Sequence, residues 1–178
     1  NYSSVVSVTT PPAKVSGVST AVRSSTYLTL SWDKVSGASG YRIYRYNTDT
    51  QAYEKVITLT SGSTVSYKIT GLATAKEYQF KVRAYRKVDG VSTWGSSSAA
   101  YKDSTKPGQT KSLKASSKSS AVTLTWNKVT RASGYQVYRY NSKTKKYEKL
   151  ATVKGNTTFS YKNTKLKKGT TVKYKVRA

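Results

Sequence analysis

Side-chain catalysis needs a group that exchanges a proton or attacks an electrophile near neutral pH. This chain of 178 residues has no His, no Cys and no Met. Thiol nucleophiles, disulfide staples and thiolate metal sites are thereby excluded, and the commonest general base and metal ligand are missing. Seven carboxylates remain: Asp33, Asp49, Glu54, Glu77, Asp89, Asp103 and Glu148. Glycoside hydrolysis needs two of them about 5–10 Å apart, and these are scattered over turns and strand ends. No phosphate-cradling Gly loop, calcium loop or Ser–Lys motif stands out. The chain reads as a non-enzyme, with no catalytic residue, no metal and no cofactor.

Cations and aromatic rings are abundant instead. The chain carries 32 Lys+Arg against 7 Asp+Glu, a net charge of +25, together with 16 Tyr and 3 Trp. Residues 40–47 read GYRIYRYN and residues 134–141 read GYQVYRYN. On a strand, alternate side chains face opposite ways. With Tyr41 and Ile43 inward, Arg42, Tyr44 and Tyr46 point outward. Over 77–85, Tyr78, Phe80, Val82 and Ala84 form one face and Gln79, Lys81, Arg83 and Tyr85 the other. The second copy repeats the pattern with Gln136, Tyr138, Tyr140, Lys173, Lys175 and Arg177.

Interleaved rings and cations can bind a sugar polymer, whose apolar C–H faces stack on flat rings. The candidate residues for carbohydrate or partner binding are Tyr44, Tyr46, Arg83, Tyr85, Trp94, Tyr138, Tyr140 and Arg177. The competing reading is internal: cation–π pairs of about 0.5–1 kcal/mol stiffen an exposed sheet, with Trp94 lying back on Arg83. Trp32 and Trp126 are expected in the core.

The charge is uneven. Residues 107–178 hold 18 Lys+Arg and one acid, whereas residues 1–106 hold 14 and six. Lys143, Lys145 and Lys146 form one basic turn, and Lys165, Lys167 and Lys168 belong to another. These six are the candidate polyanion-binding residues, in a field that attracts acidic polymers and weakens with salt. High charge also favours solubility. No nucleic-acid-binding signature is present, so no specific nucleic-acid partner is expected. No apolar run approaches 18 residues, so no membrane span is expected.

The elements that position these groups come from a repeat. Trp32 maps to Trp126, Gly40 to Gly134, Tyr53 to Tyr147, Tyr67 to Tyr161, Leu72 to Leu166 and KVRA at 81–84 to KVRA at 175–178, all at an offset of 94. Pro12 pairs with Pro107 at 95. A period of this length is a small domain written twice. Short alternating runs separated by turns every 8–12 residues indicate a sandwich or barrel. In the first copy, strands are expected over 28–32, 40–47, 53–59, 64–69, 77–85 and 96–102. The organisation is a segment at 1–10, a first domain at 11–105 and a second at 106–178.

The Trp on one strand, the Tyr on the next, Leu72 six residues before Tyr78, and the alternation ending in KVRA resemble the fibronectin type III module. The wording WDKVSGASGYRIYRYN and GVSTWGSSS is similar to type III repeats in large surface proteins of Gram-positive anaerobes. The resemblance implies two tandem all-β, immunoglobulin-like sandwiches of seven strands in Greek-key order. It places the 40–47 and 77–85 strands side by side and makes Leu72 with Tyr78 a tyrosine corner. Copy two departs from it: Val172 stands where copy one has Tyr78, so its corner hydrogen bond is expected to be missing. Copy two also ends before a final strand, while residues 2–10 resemble the last strand of a preceding repeat.

The expected function is a non-catalytic, secreted or cell-surface bacterial module, acting as spacer and adhesion element and touching anionic wall or extracellular polymers. One alternative is a carbohydrate-binding pair using the Tyr/Trp platforms. Another is a head-to-tail filament, in which residues 2–10 complete the open sheet edge of a neighbouring copy. No secretory signal precedes Asn1, and the chain is expected to be a mature or cut-down form.

Overall fold

The computed structural model describes residues 3, 6 and 8–178. Residues 2, 4, 5 and 7 of the donor strand expected at 2–10 lie outside the described residues. Its described end, from Val8, forms no strand, and Val8 is exposed. The described residues contain fourteen strands and no helix. They fall into two units. The first comprises the described residues up to Leu72 with Lys76–Thr105, the second Ala73–Ala75 with Lys106–Ala178.

In the first unit, one sheet has the order β1 (Ser19–Arg23), β2 (Leu28–Ser31), β5 (Ser66–Ile69). The other runs β4 (Ala52–Leu59), β3 (Gly40–Asn47), β6 (Glu77–Val88), with β7 (Val91–Trp94) and β8 (Tyr101–Ser104) both paired to β6. Every pairing is antiparallel. In the second unit, β9 (Lys114–Lys118), β10 (Ala121–Thr125) and β13 (Ser160–Asn163) form one sheet. There β12 (Lys146–Lys154), β11 (Gly134–Asn141) and β14 (Tyr174–Arg177) form the other. Among the described residues β14 pairs only with β11.

The period-2 pattern is obeyed where it matters. Leu28, Leu30, Tyr41, Ile43, Phe80, Val82 and Ala84 are sealed inside the first unit, with Trp32 and Leu72. Leu124, Trp126, Tyr135 and Val137 do the same in the second. A buried Tyr needs a partner for its hydroxyl. The Tyr41 hydroxyl accepts the backbone N–H of Val35, and that of Tyr135 accepts the N–H of Val129, each at 2.9 Å. Each tyrosine thus fills the core and ties down the loop before its own strand.

The expected final strand at 96–102 is replaced by two shorter ones, β7 and β8. Between them Ser98, buried, accepts the Val82 N–H on its hydroxyl at 3.0 Å and donates to the Ala99 carbonyl at 2.8 Å. A side-chain oxygen thus stands in for a backbone acceptor, and the ladder breaks there. A Cβ on Gly95 would lie 2.4 Å from the Pro12 carbonyl, because the segment leading into the domain crosses at that point. Four other bounds differ from expectation. β2 ends at Ser31 rather than 32, β5 begins at Ser66 rather than 64, β4 begins at Ala52 rather than 53, and β6 continues three residues past Tyr85 to Val88 because β7 pairs with that end.

Candidate functional site

The outer face of β4-β3-β6 is built in rows. Tyr46 lies opposite Tyr53, Tyr44 opposite Lys55 and Lys81, and Arg42 opposite Thr58 and Arg83. A bulge between Ile43 and Tyr44 preserves this alignment where β4 carries one extra residue. In the first row Tyr46 meets Tyr53 edge-on at 5.2 Å, and the Lys81 ammonium sits 4.3 Å over the Tyr53 ring. The second unit repeats this: Tyr140 meets Tyr147 at 5.3 Å, and Lys175 lies 4.3 Å over Tyr147. Burial raises the Tyr53 hydroxyl above its ordinary pKa, and the neighbouring Tyr46 adds to the effect.

Trp94 returns over this face and is half-buried. The Arg42 guanidinium is 4.1 Å from its ring centre and that of Arg83 5.5 Å, so Arg42, more than the expected Arg83, caps the indole. Arg83 instead donates to the Gly95 carbonyl at 2.5 Å, pinning the strand that carries the indole. Tyr85 corrects the sequence reading more strongly. It is on the outward side as expected but only 6% exposed. Gly40, opposite it, has no side chain, so the Tyr85 ring lies where a Gly40 Cβ would sit. Trp94 covers it at a centroid distance of 4.7 Å. Tyr85 therefore offers no open surface.

In the second unit Tyr138 donates its hydroxyl to Gln136 at 2.8 Å. Arg177 donates twice to the same Gln136 oxygen, at 2.9 and 2.7 Å, and lies 5.3 Å over the Tyr138 ring. Tyr44 and Tyr138 are both half-buried on the outer face, not sealed in the interior.

The structure divides the six candidate lysines. Lys143, Lys165 and Lys167 line one open cleft of about 780 Å³ at the end of the second unit. Arg139, Lys149 and Lys173 line it too. Lys145, Lys146 and Lys168 do not. Sequence reading singled out basic turns and so missed Arg139 and Lys149, which come from paired strands. A position-by-position comparison of the copies holds the available signal. Lys143 replaces Asp49, Lys165 replaces Gly71, Lys167 replaces Ala73 and Lys173 replaces Gln79.

Glu54, Glu148 and Asp103 have structural partners. Glu54 accepts from Asn47 at 2.7 Å and Thr50 at 2.9 Å, and Glu148 accepts from Asn141 and Thr144. In each copy the same Asn also caps the hairpin turn with its carbonyl oxygen at 2.9 Å. The recurrence of this Glu is thus a hairpin clamp. The Asn141 and Thr144 hydrogen bonds hold the Glu148 carboxyl below its ordinary value. Asp103 takes Arg23 in an ion pair that ties β8 to β1. Among the described residues no group of three or more His, Cys, Asp or Glu could hold a metal ion. No helix among them is long and apolar enough to cross a membrane.

The fibronectin type III domain family matches residues 10–99. No curated protein matches the sequence. Among solved structures, the chain is similar to a two-domain fibronectin type III segment from chicken tenascin. The identity is 21%, the TM-score 0.49, and the match covers 91% of this chain and 87% of that one. It is also similar to the FN1–FN3 domains of chicken CNTN1, at 21% identity and a TM-score of 0.45, covering 93% of this chain and 58% of that chain. A single human domain, from fibronectin type III domain containing protein 3, matches at 20% identity with a TM-score of 0.48, covering 57% of this chain and 93% of its own length. Members of this family are generally non-catalytic structural modules, commonly spacers or adhesion elements, and typically extracellular. With its repeated sandwich and the direct match over the first unit, the chain belongs to the fibronectin type III family.

Proposed function

We propose that the chain is a non-catalytic module of a bacterial surface or secreted protein, a spacer that also holds acidic wall or extracellular polymers by charge. The observation that carries this reading is the capping of the outward rings by cations. Arg42 covers Trp94, Lys81 covers Tyr53 and Lys175 covers Tyr147. A ring roofed by a guanidinium presents positive charge to a ligand rather than a bare plane for a sugar to stack on. The net charge of +25 extends that field over both units. Charge-led contact of this kind forms fast and weakens as salt rises. The test is affinity electrophoresis in acidic and neutral polysaccharide gels at ~0.05 M and ~0.5 M NaCl, spanning weak to strong screening. Retardation by acidic polymer alone, lost at high salt, is expected. Retardation by neutral glucan that persists in salt would overturn the reading.

A further inference from the structure

The two units are copies, so each serves as a reference for the other. In the first unit Tyr78 occupies the end of the sandwich. Its ring stacks along Phe80 at 6.3 Å, with Arg45 and Lys76 at 5.9 and 5.5 Å from its centre. At the matching positions the second unit has Val172 for Tyr78, Arg139 for Arg45 and Thr170 for Lys76. Val172, Arg139 and Thr170 all line the open cleft. The missing ring leaves the space. In the first unit the pocket at the matching Arg45, Glu54, Lys55 and Val56, which Tyr78 does not line, measures about 300 Å³, against about 780 Å³ in the second. Leu72, beside Tyr78, is 4% exposed, while its counterpart Leu166 is only partly covered and lines the cleft.

The chemistry of the walls changed with the volume. Six cations line the cleft with one carboxylate, Glu148. Glu148 is held by Asn141 and Thr144 of its own hairpin. Among the described residues the only ion pair is Arg23–Asp103; Arg139 lies cross-strand from Glu148 and feels its charge, while none of the five lysines is in an ion pair. Polar hydroxyls of Ser142, Thr170 and Thr171 and the ring of Tyr140 complete the lining. The cleft falls within the size of ordinary ligand sites, about 300–1,000 Å³. Concentrated, unpaired lysines bind anionic groups as point charges. The hydroxyls beside them suit the hydroxyls of a sugar rather than a bare mineral anion, while the Tyr140 ring is already under Lys173 at 5.7 Å and is no open stacking plane.

We propose that this cleft is a discrete binding site for an acidic glycan, a run of sugar rings bearing sulfate, phosphate or carboxylate groups, and that the first unit lacks it. The site rests on the reading of the chain as a contact element for acidic polymers, and deepens it from a diffuse field to one location. The test titrates the full chain, isotope-labelled, with a sulfated hexasaccharide and with its desulfated form, following amide shifts by NMR. Saturable binding is expected with the sulfated form, with shifts centred on residues 139–143 and 165–173.

Val172→Tyr restores the ring of the first unit and leaves the charge unchanged. It is expected to weaken binding at least ~10-fold. Lys165→Ser with Lys167→Ser removes two lining charges and is expected to do the same. This second pair keeps the test decisive should the added ring disturb folding. Lys111→Ser with Lys114→Ser removes equal charge from the start of β9, at the other end of the β9–β10 hairpin from the Ser120–Leu166 contact, and is expected to cost less than ~3-fold. The site is overturned if the two lysine pairs weaken binding equally, if a folded Val172→Tyr chain keeps full affinity, or if the desulfated sugar binds as well. In the first two cases salt-sensitive binding survives and the charge-led function stands. No binding to any acidic polymer would sink both.

Discussion

Replacing Trp94 with Leu separates a structural ring from a binding ring. In the native chain the indole covers Tyr85 at 4.7 Å and lies beneath Arg42 at 4.1 Å. The aromatic pair is worth about 0.5–1.5 kcal/mol beyond burial, and the Arg42 cation–π contact about 0.5–1 kcal/mol. Arg83, at 5.5 Å, adds less. Leucine keeps part of the apolar cover, so the area lost contributes about 1 kcal/mol. The first unit should therefore lose about 2–3.5 kcal/mol. For a domain of this size each kcal/mol shifts Tm by about 4–8 °C, so its transition should fall by roughly 8–28 °C. The assay is thermal unfolding of the full chain with hydrogen exchange assigned by unit, since two domains need not melt together. A cycle with Arg42→Gln should return a coupling of about 0.5–1 kcal/mol. If Trp94→Leu left the first unit unchanged while abolishing retention on neutral glucan, the indole would be an open platform and the reasoning wrong.

Tyr41→Phe and Tyr135→Phe each strand a buried backbone N–H, of Val35 and Val129 respectively. Each should cost its own unit about 1–3 kcal/mol in urea unfolding, with the other unit unaffected. Gly40→Ala drives a methyl to 2.0 Å from the Leu59 carbonyl and 2.7 Å from the Tyr85 ring, both inside contact distance, and should cost the first unit at least ~2 kcal/mol by the same assay. Burial alone would raise the Asp103 carboxyl, but hydrogen bonds from Arg23, Thr20 and the Ser104 amide outweigh it and hold it below its ordinary 3.8. Its stabilisation is thus complete above the unfolded value and lost as pH falls through the lowered folded one. The Tm of the first unit should hold from about pH 7 to 5 and drop below about pH 4, and Asp103→Asn should flatten that drop.

Sequence alone determined the architecture. Alternation and turn spacing predict an all-β sandwich, and the offset of 94 predicts two copies. Both follow from local physics: a half-buried strand must alternate, and Leu28, Leu30, Tyr41 and Ile43 do so inward. β1 and β9 were not legible, because STAVR and KASSK are nearly all exposed and carry no alternation. The candidate site was legible as composition but not as geometry. Tyr85 was assigned the correct side of its strand, yet its cover depends on Trp94 and on the bare backbone of Gly40 across the sheet. Lys165 and Lys167, in the connection from β13 to β14, follow Lys143 of the β11–β12 turn by 22 and 24 residues, and only the pairing of β11 with β12 and β14 brings Arg139, Lys149 and Lys173 beside them. Direction along a strand is a property of neighbouring residues. What covers a side chain, or which charges share a cleft, is set by residues distant in sequence, and only the folded chain brings these together.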